Sequence, residues 1–157
     1  MSVGEWVLLA YRLPREPSTP RIALWRALRR LGAAQVVDGL VALPADSRTR
    51  ERMEWLAESV MDARGEATVW IGRPGSAAQE RAIAGRMRTE VGAQYRKLAA
   101  EAADATGGTP GARKRTLGRL RRELRRVRRR DYFNAPEREP TMAAVQRLAE
   151  DLERVAA

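Results

Sequence analysis

Between Ala112 and Arg130 the chain carries Arg113, Lys114, Arg115, Arg119, Arg121, Arg122, Arg125, Arg126, Arg128, Arg129 and Arg130, and among them a single acid, Glu123. The chemistry open to this set is electrostatic recognition. A guanidinium is a planar fork that matches a phosphate through paired hydrogen bonds and stays charged at any physiological pH. Leu117, Leu120, Leu124 and Val127 recur at steps of 3, 4 and 3, so a helix here has one narrow apolar seam and is basic on every other face. Like charges one helical turn apart repel. Two arrangements relieve the repulsion. A polyanion can lie along the helix, gaining from counterion release; alternatively the charges face water, or pair with Glu137, Glu139, Glu150, Asp151 and Glu153 further on. The first arrangement makes these eleven residues a DNA-binding surface along or in a groove of the duplex. The seam lacks the bulky apolar face that membrane-surface helices insert, so no membrane partner is expected.

A second group surrounds the start of an earlier helix: Arg12, Arg15 and Arg21, with the hydroxyls of Ser18 and Thr19. Free backbone N–H groups and the positive end of the helix dipole attract anions at such a point. These five residues are candidate ligands for a tetrahedral oxyanion or a DNA phosphate. The alternative is ordinary capping, with salt bridges to Glu16 or Glu51.

The remaining composition excludes much chemistry. The 157 residues contain no Cys and no His, which removes disulfides, thiol nucleophiles, imidazole bases, Cys/His zinc sites and the Ser-His-Asp triad. No catalytic residue, metal site or cofactor motif stands out, and a non-enzymatic protein is expected. The net charge is +10, with 28 Arg and two Lys, Lys97 and Lys114. Residues 107–134 hold 11 bases and 2 acids, whereas 1–74 hold 11 and 9 and 135–157 hold 3 and 5. A localised excess is a functional hint that an even one is not. No apolar run approaches the ~18 residues of a spanning helix. The opening Met1-Ser2-Val3-Gly4-Glu5 carries an acid where a secretory leader carries a base, and a cytoplasmic location is expected.

The elements that must position these groups are legible from patterning. Residues 6–13 form a strand apolar on both faces, placed centrally in a sheet covered on both sides. Thr19-Pro20 opens a helix expected to bury Ile22, Leu24, Trp25, Leu28 and Leu31 and to stop at Gly32. Residues 35–43 form a hairpin about Asp38-Gly39. A helix from Asp46 or Ser47 carries the stripe Met53, Leu56, Ala57, Val60 and Met61 and ends at Gly65, and residues 67–71 are a fourth strand. The order βαββαβ predicts an α+β, ferredoxin-like antiparallel sheet with a C-terminal helical extension. The domain would span 1–74 and the extension 75–157, with helices over about 76–104, 112–132 and 141–155 and a Gly-rich hinge at 106–111. One sheet face stays bare unless later helices or a second subunit cover it. Of the four tryptophans, Trp6, Trp25 and Trp70 are expected in the core, and Trp55, off its stripe, at a contact surface.

Residues 11–33 (YRLPREPSTPRIALWRALRRLGA), 38–44 (DGLVALP), 54–58 (EWLAE), 69–70 (VW) and 130–133 (RDYF) resemble the amino-terminal region of the chromate-resistance regulator ChrB. More distantly, the chain is similar to the ferredoxin-like domains of the phenylacetate-pathway repressor PaaX and of CRISPR-associated nucleases. The resemblance implies a bacterial regulator, a homodimer, acting on duplex DNA of a chromate-resistance operon. ChrB proteins typically continue into a second domain, so a separately encoded ChrB-like second half is a further expected partner, and an oxyanion-responsive accessory module is the rival reading. The nucleases place an acidic metal ligand at the end of the first strand, where this sequence has Ala10-Tyr11-Arg12, so their activity is not carried over.

Overall fold

The computed structural model describes residues 4–156; Met1–Val3, part of the segment read for a leader, lie outside them. The elements run β1 (Trp6–Arg12), α1 (Thr19–Leu31), β2 (Ala34–Val37), β3 (Leu40–Pro44), α2 (Ser47–Asp62), β4 (Glu66–Gly72), α3 (Ala77–Asp104), a 3-10 turn (Ala105–Gly107), α4 (Pro110–Arg129) and α5 (Arg138–Ala156). The chain divides into two compact units, one ending at Met87 and one beginning at Arg88, so the division falls inside α3.

The first unit holds a four-stranded sheet of order β2-β3-β1-β4 with every pairing antiparallel. With α1 and α2 following β1 and β3, this is the expected ferredoxin-like plan. β1 is central because Val7 and Leu9 are wholly buried on one of its faces and Trp6 on the other. Asp46 starts α2 through a reciprocal cap. Its carboxylate accepts from the Thr49 N–H at 2.7 Å, and the buried Thr49 hydroxyl accepts from the Asp46 N–H at 2.9 Å and donates to the Pro44 carbonyl at 2.7 Å. At its other end Arg64 takes the left-handed conformation (φ 66) and the Gly65 N–H returns to the Val60 carbonyl at 2.8 Å. Gly65 is required by space. A Cβ there would lie 2.5 Å from the Arg12 carbonyl and 2.7 Å from Val60 Cγ1.

The sheet is covered unevenly. Register puts Trp6, Leu8 and Ala10 of β1 on one face with Ala42 of β3 and Trp70 of β4. On that face the Trp6 indole N–H and the Gly4 N–H donate to the Glu80 carboxylate of α3 at 2.9 and 2.8 Å, and Arg86 donates to the Gln35 carbonyl at 3.3 Å. The opening turns of α3 therefore shield the β1–β3–β2 side, while the outer strand β4 leaves Trp70 60% exposed. Its indole N–H is satisfied by Thr68 of the same strand at 2.8 Å.

Three core expectations are corrected here. In α1 only Leu24 and Leu28 are buried; Ile22 and Trp25 are 46% and 57% exposed, because the single stripe that meets the sheet is the Leu24–Leu28 row and Trp25 lies about 100° around the helix from it. Trp70 is exposed because no described residue covers its end of the sheet. Met61 lies outside the buried row Thr49, Met53, Ala57, Val60 and is also exposed. Trp55 is 63% exposed, in line with its off-stripe position.

The second unit is a three-helix bundle around the Arg88–Asp104 part of α3, α4 and α5. Its core joins Val91, Tyr95, Leu98 and Ala102, then the α4 seam, then Ala144, Val145, Leu148 and Ala149. α4 begins at Pro110, earlier than the expected start, because Thr109 caps it by accepting from the Ala112 N–H at 3.2 Å and proline suits the first helical position. α5 likewise starts at Arg138 and takes Pro140 into its first turn, where no intrahelical N–H is needed.

Replacing Gly65 by Ala should destabilise the protein by about 1–3 kcal/mol through overpacking. Gly85→Ala, at a helical position with open space, should stabilise it by about 0.5–1 kcal/mol. Urea unfolding midpoints of the two variants check the pair.

Candidate nucleic-acid interface

α4 folds as a helix because its apolar seam fits the bundle. Leu117, Leu120, Leu124 and Val127 are all buried, and Leu120 wholly so. Everything that surrounds the seam then faces outward. Lys114, Arg115, Arg119, Arg121, Arg122, Arg125, Arg126, Arg128 and Arg129 are exposed, and Arg113 and Arg130 are half-buried.

The structure sorts this set into two edges. On one edge Arg119 pairs with Glu101 of α3 at 3.0 Å, Arg126 pairs with Glu123, and Arg130 donates to the Gln94 amide oxygen at 2.8 Å. Arg113 turns back to the Gly108 carbonyl at 2.8 Å. Across the outer face (Arg115 and Arg122) and the other edge (Lys114, Arg121, Arg125 and Arg128) the cations make no ion pair among the described residues. Lys114, Arg121 and Arg128 recur every seven residues along that edge, and Arg115 and Arg122 do the same on the outer face. Each row therefore repeats about every 10.5 Å along the helix.

The acids of the last helix do not neutralise this edge. Glu137 faces Arg96 of α3 at 3.5 Å and Asp151 pairs with Arg154 of its own helix. Glu150 accepts weakly from Gln146 at 3.5 Å, and Glu139 and Glu153 are exposed.

A buried polar staple fixes where α4 ends. The Tyr95 side chain is fully buried, and its hydroxyl donates to Asp131 Oδ2 at 2.9 Å. The same carboxylate accepts from the Ala135 N–H at 3.0 and 3.1 Å, and the buried Thr141 hydroxyl donates to the Tyr95 carbonyl at 3.1 Å. Burial first, and then the hydrogen bond to the Asp131 carboxylate, push the Tyr95 phenol far above its ordinary value. Arg88 lies over the Phe133 ring at 5.5 Å, so this aromatic docks the turn after α4 within the bundle. The staple is a feature that sequence reasoning missed. Tyr95 was legible only as a stripe residue of a long helix, and its partner lies 36 positions away.

The second candidate group is less converged. Arg12 is engaged by Glu66 of β4 at 2.9 Å. Ser18 occupies the cap position of α1 without a side-chain capping bond, and Arg15, Ser18, Thr19 and Arg21 are exposed. Burial, then the nearby Asp38 carboxylate, raise the Tyr11 phenol beside this loop, with Arg21 acting the other way. Among the described residues no three acidic side chains gather as a metal would require, and no helix is long and apolar enough to cross a membrane.

Fold and surface together define a class: a ferredoxin-like α+β domain whose chain continues into a helical bundle with one uncompensated basic edge. Comparison with known proteins makes this more particular. A family model for the N-terminal part of Protein ChrB matches residues 21–106, more than half of the chain, and the chain belongs to that family. It is also 35% identical over 66 residues to Protein ChrB of Cupriavidus metallidurans, a stretch that spans 42% of this chain and one fifth (20%) of that relative. The family match ends before α4, so the basic edge is read from its own geometry.

Tyr95→Phe should cost about 2 kcal/mol of stability, the value of a buried hydrogen bond to a charged acceptor. It should also change the alkaline limb. A raised phenol pKa adds stability that is complete below the ordinary value of 10.0 and is lost as pH climbs toward the folded-state value. Urea unfolding from pH 8 to 11.5 should show a fall in the parent that Tyr95→Phe lacks.

Proposed function

We propose that this chain is a DNA-binding transcriptional regulator of ChrB type, associated with chromate resistance, that grips the duplex backbone through the uncompensated edge of α4. The observation that carries the reading is the set of six cationic side chains, Lys114, Arg115, Arg121, Arg122, Arg125 and Arg128, that have no carboxylate partner among the described residues, on a helix anchored from behind. Folding together like charges at i,i+4 spacing is unfavourable, and a row of phosphates both removes the repulsion and releases counterions. Backbone contacts of this kind give affinity and orientation, while sequence preference comes from base edges or duplex shape. Membership of the ChrB family supports the ChrB-type, chromate-linked part of the reading.

A second reading is an accessory module that works with a separately encoded ChrB-like domain. The observation favouring it is that the matched stretch is 20% of the Cupriavidus protein, so most of that relative has no counterpart in the alignment. In that case the isolated chain binds DNA weakly and acquires affinity only with the second polypeptide.

A gel shift on the gene's upstream DNA across a salt series decides between them. Six phosphate contacts predict a slope of log affinity against log salt of about −5. Charge reversal of Arg121, Arg125 and Arg128 together should abolish the shift, whereas reversal of Arg119 and Arg126, on the paired edge, should weaken it far less. Loss of equal size in both variants would overturn the assignment of the edge. Chromate, sulfate and phosphate in parallel lanes test the Arg15–Arg21 region, where release of DNA by chromate alone makes this chain the sensor.

A further inference from the structure

The first unit exposes two helix stripes of opposite character. On α1, Ile22, Trp25, Arg26 and Arg29 follow i, i+3, i+4, i+7 spacing, flanked by Arg21 and Arg30, and the helix contains no acid. On α2, Glu51, Glu54, Trp55, Glu58, Met61 and Asp62 continue the same spacing over three turns; the exposed bases of this helix, Arg48, Arg50 and Arg52, are confined to its first two turns, and the stripe is acidic from Glu54 onward. Both stripes carry a tryptophan more than half exposed, 57% for Trp25 and 63% for Trp55; Ile22 lies one turn from Trp25, and Met61 is exposed further along α2. The Arg29 guanidinium lies over the Trp25 ring, 5.0 Å from its centroid. Glu51, Glu54, Glu58, Asp62, Arg21, Arg26 and Arg30 make no ion pair among the described residues, so the two stripes do not neutralise each other within one chain. The two helices pack side by side, and a cleft of about 310 Å³ lined by Ala23, Leu24, Ala27, Leu56 and Val60 runs between them.

We infer that this helical layer is a self-complementary dimer surface, with α1 of each copy seated on α2 of the other. The occupant is a second copy because the layer displays both halves of the match. A basic stripe with one exposed tryptophan and an acidic stripe with another satisfy each other twice about a two-fold axis, and a two-fold interface is closed. Exposed indoles at the centre of each contact supply the anchors, and the flanking charges set register and exclude the like-with-like alignment. A DNA duplex would suit α1 alone and be repelled by four carboxylates on α2. This inference is independent of the α4 reading, since the two surfaces belong to different units.

Light scattering coupled to size exclusion on the full chain, from 5 to 200 μM, provides the test. The parent should run as a closed dimer that dissociates as salt rises. Arg26→Glu/Arg30→Glu and Glu54→Arg/Glu58→Arg should each run as a monomer with unchanged circular dichroism, and an equimolar mixture of the two should dimerise, because the mixed pair restores opposite charges at both contacts. Trp55→Ala should weaken self-association roughly thirtyfold. A monomeric parent, dimers that survive both reversals, a mixture that stays monomeric, or sensitivity to Trp70→Ala in place of Trp55→Ala would each overturn the inference. So would reversal of Arg26 and Arg30 that abolishes DNA binding while leaving the oligomeric state intact, which would make α1 a nucleic-acid contact.

Discussion

The second unit depends on a contest between burial and like-charge repulsion on one helix. α4 has one acid among its basic side chains, and left alone in water it would have little reason to form. Burying three leucines and a valine yields on the order of 6–12 kcal/mol gross, whereas each like-charge pair at one-turn spacing costs only a few tenths. The seam wins, and its victory has a geometric consequence. With the apolar row turned to the bundle, most of the guanidiniums between Arg113 and Arg130 are turned to solvent along the helix, those two at the ends of the row being half-buried.

The bundle then treats the two edges of that helix differently. Carboxylates and an amide reach one edge, from α3 and from Glu123, and the opposite edge receives none among the described residues. Exposed ion pairs contribute little to stability, so the significance of the sorting is less energetic than topographic. It narrows an all-round basic helix to one directional surface. The Tyr95–Asp131 staple works in the same direction. By satisfying a carboxylate and the N–H of Ala135 in the interior, it fixes the point at which α4 stops and the chain turns back into α5.

In the first unit the same accounting leaves apolar surface outside. Two helices and a four-stranded sheet offer limited burial to a small domain, and large side chains that miss the core stay in water. Trp25, Trp55 and Trp70 are the result. Exposed indoles gathered on one helical layer mark a contact surface more strongly than isolated apolar residues do.

Much of this was legible in the chain itself. The order βαββαβ, the hairpin at Asp38-Gly39, the stop at Gly32 and the seam Leu117–Leu120–Leu124–Val127 all follow from local rules of turn geometry, capping and periodicity, because these features involve residues a few positions apart. Periodicity also says which residues share a helix face, but not which of two apolar faces meets the core, and so Ile22 and Trp25 were assigned inward. Coverage of the sheet end at Trp70, the pairing of Arg119 with Glu101 and the junction of Tyr95 with Asp131 join groups 18 to 36 positions apart or depend on what packs above them. By itself the sequence determined that a dense basic helix exists and which row of it is apolar. Tertiary structure alone decided which of its charges are spent on the protein's own carboxylates and which remain free, because that choice depends on distances between helices and no local pattern encodes them.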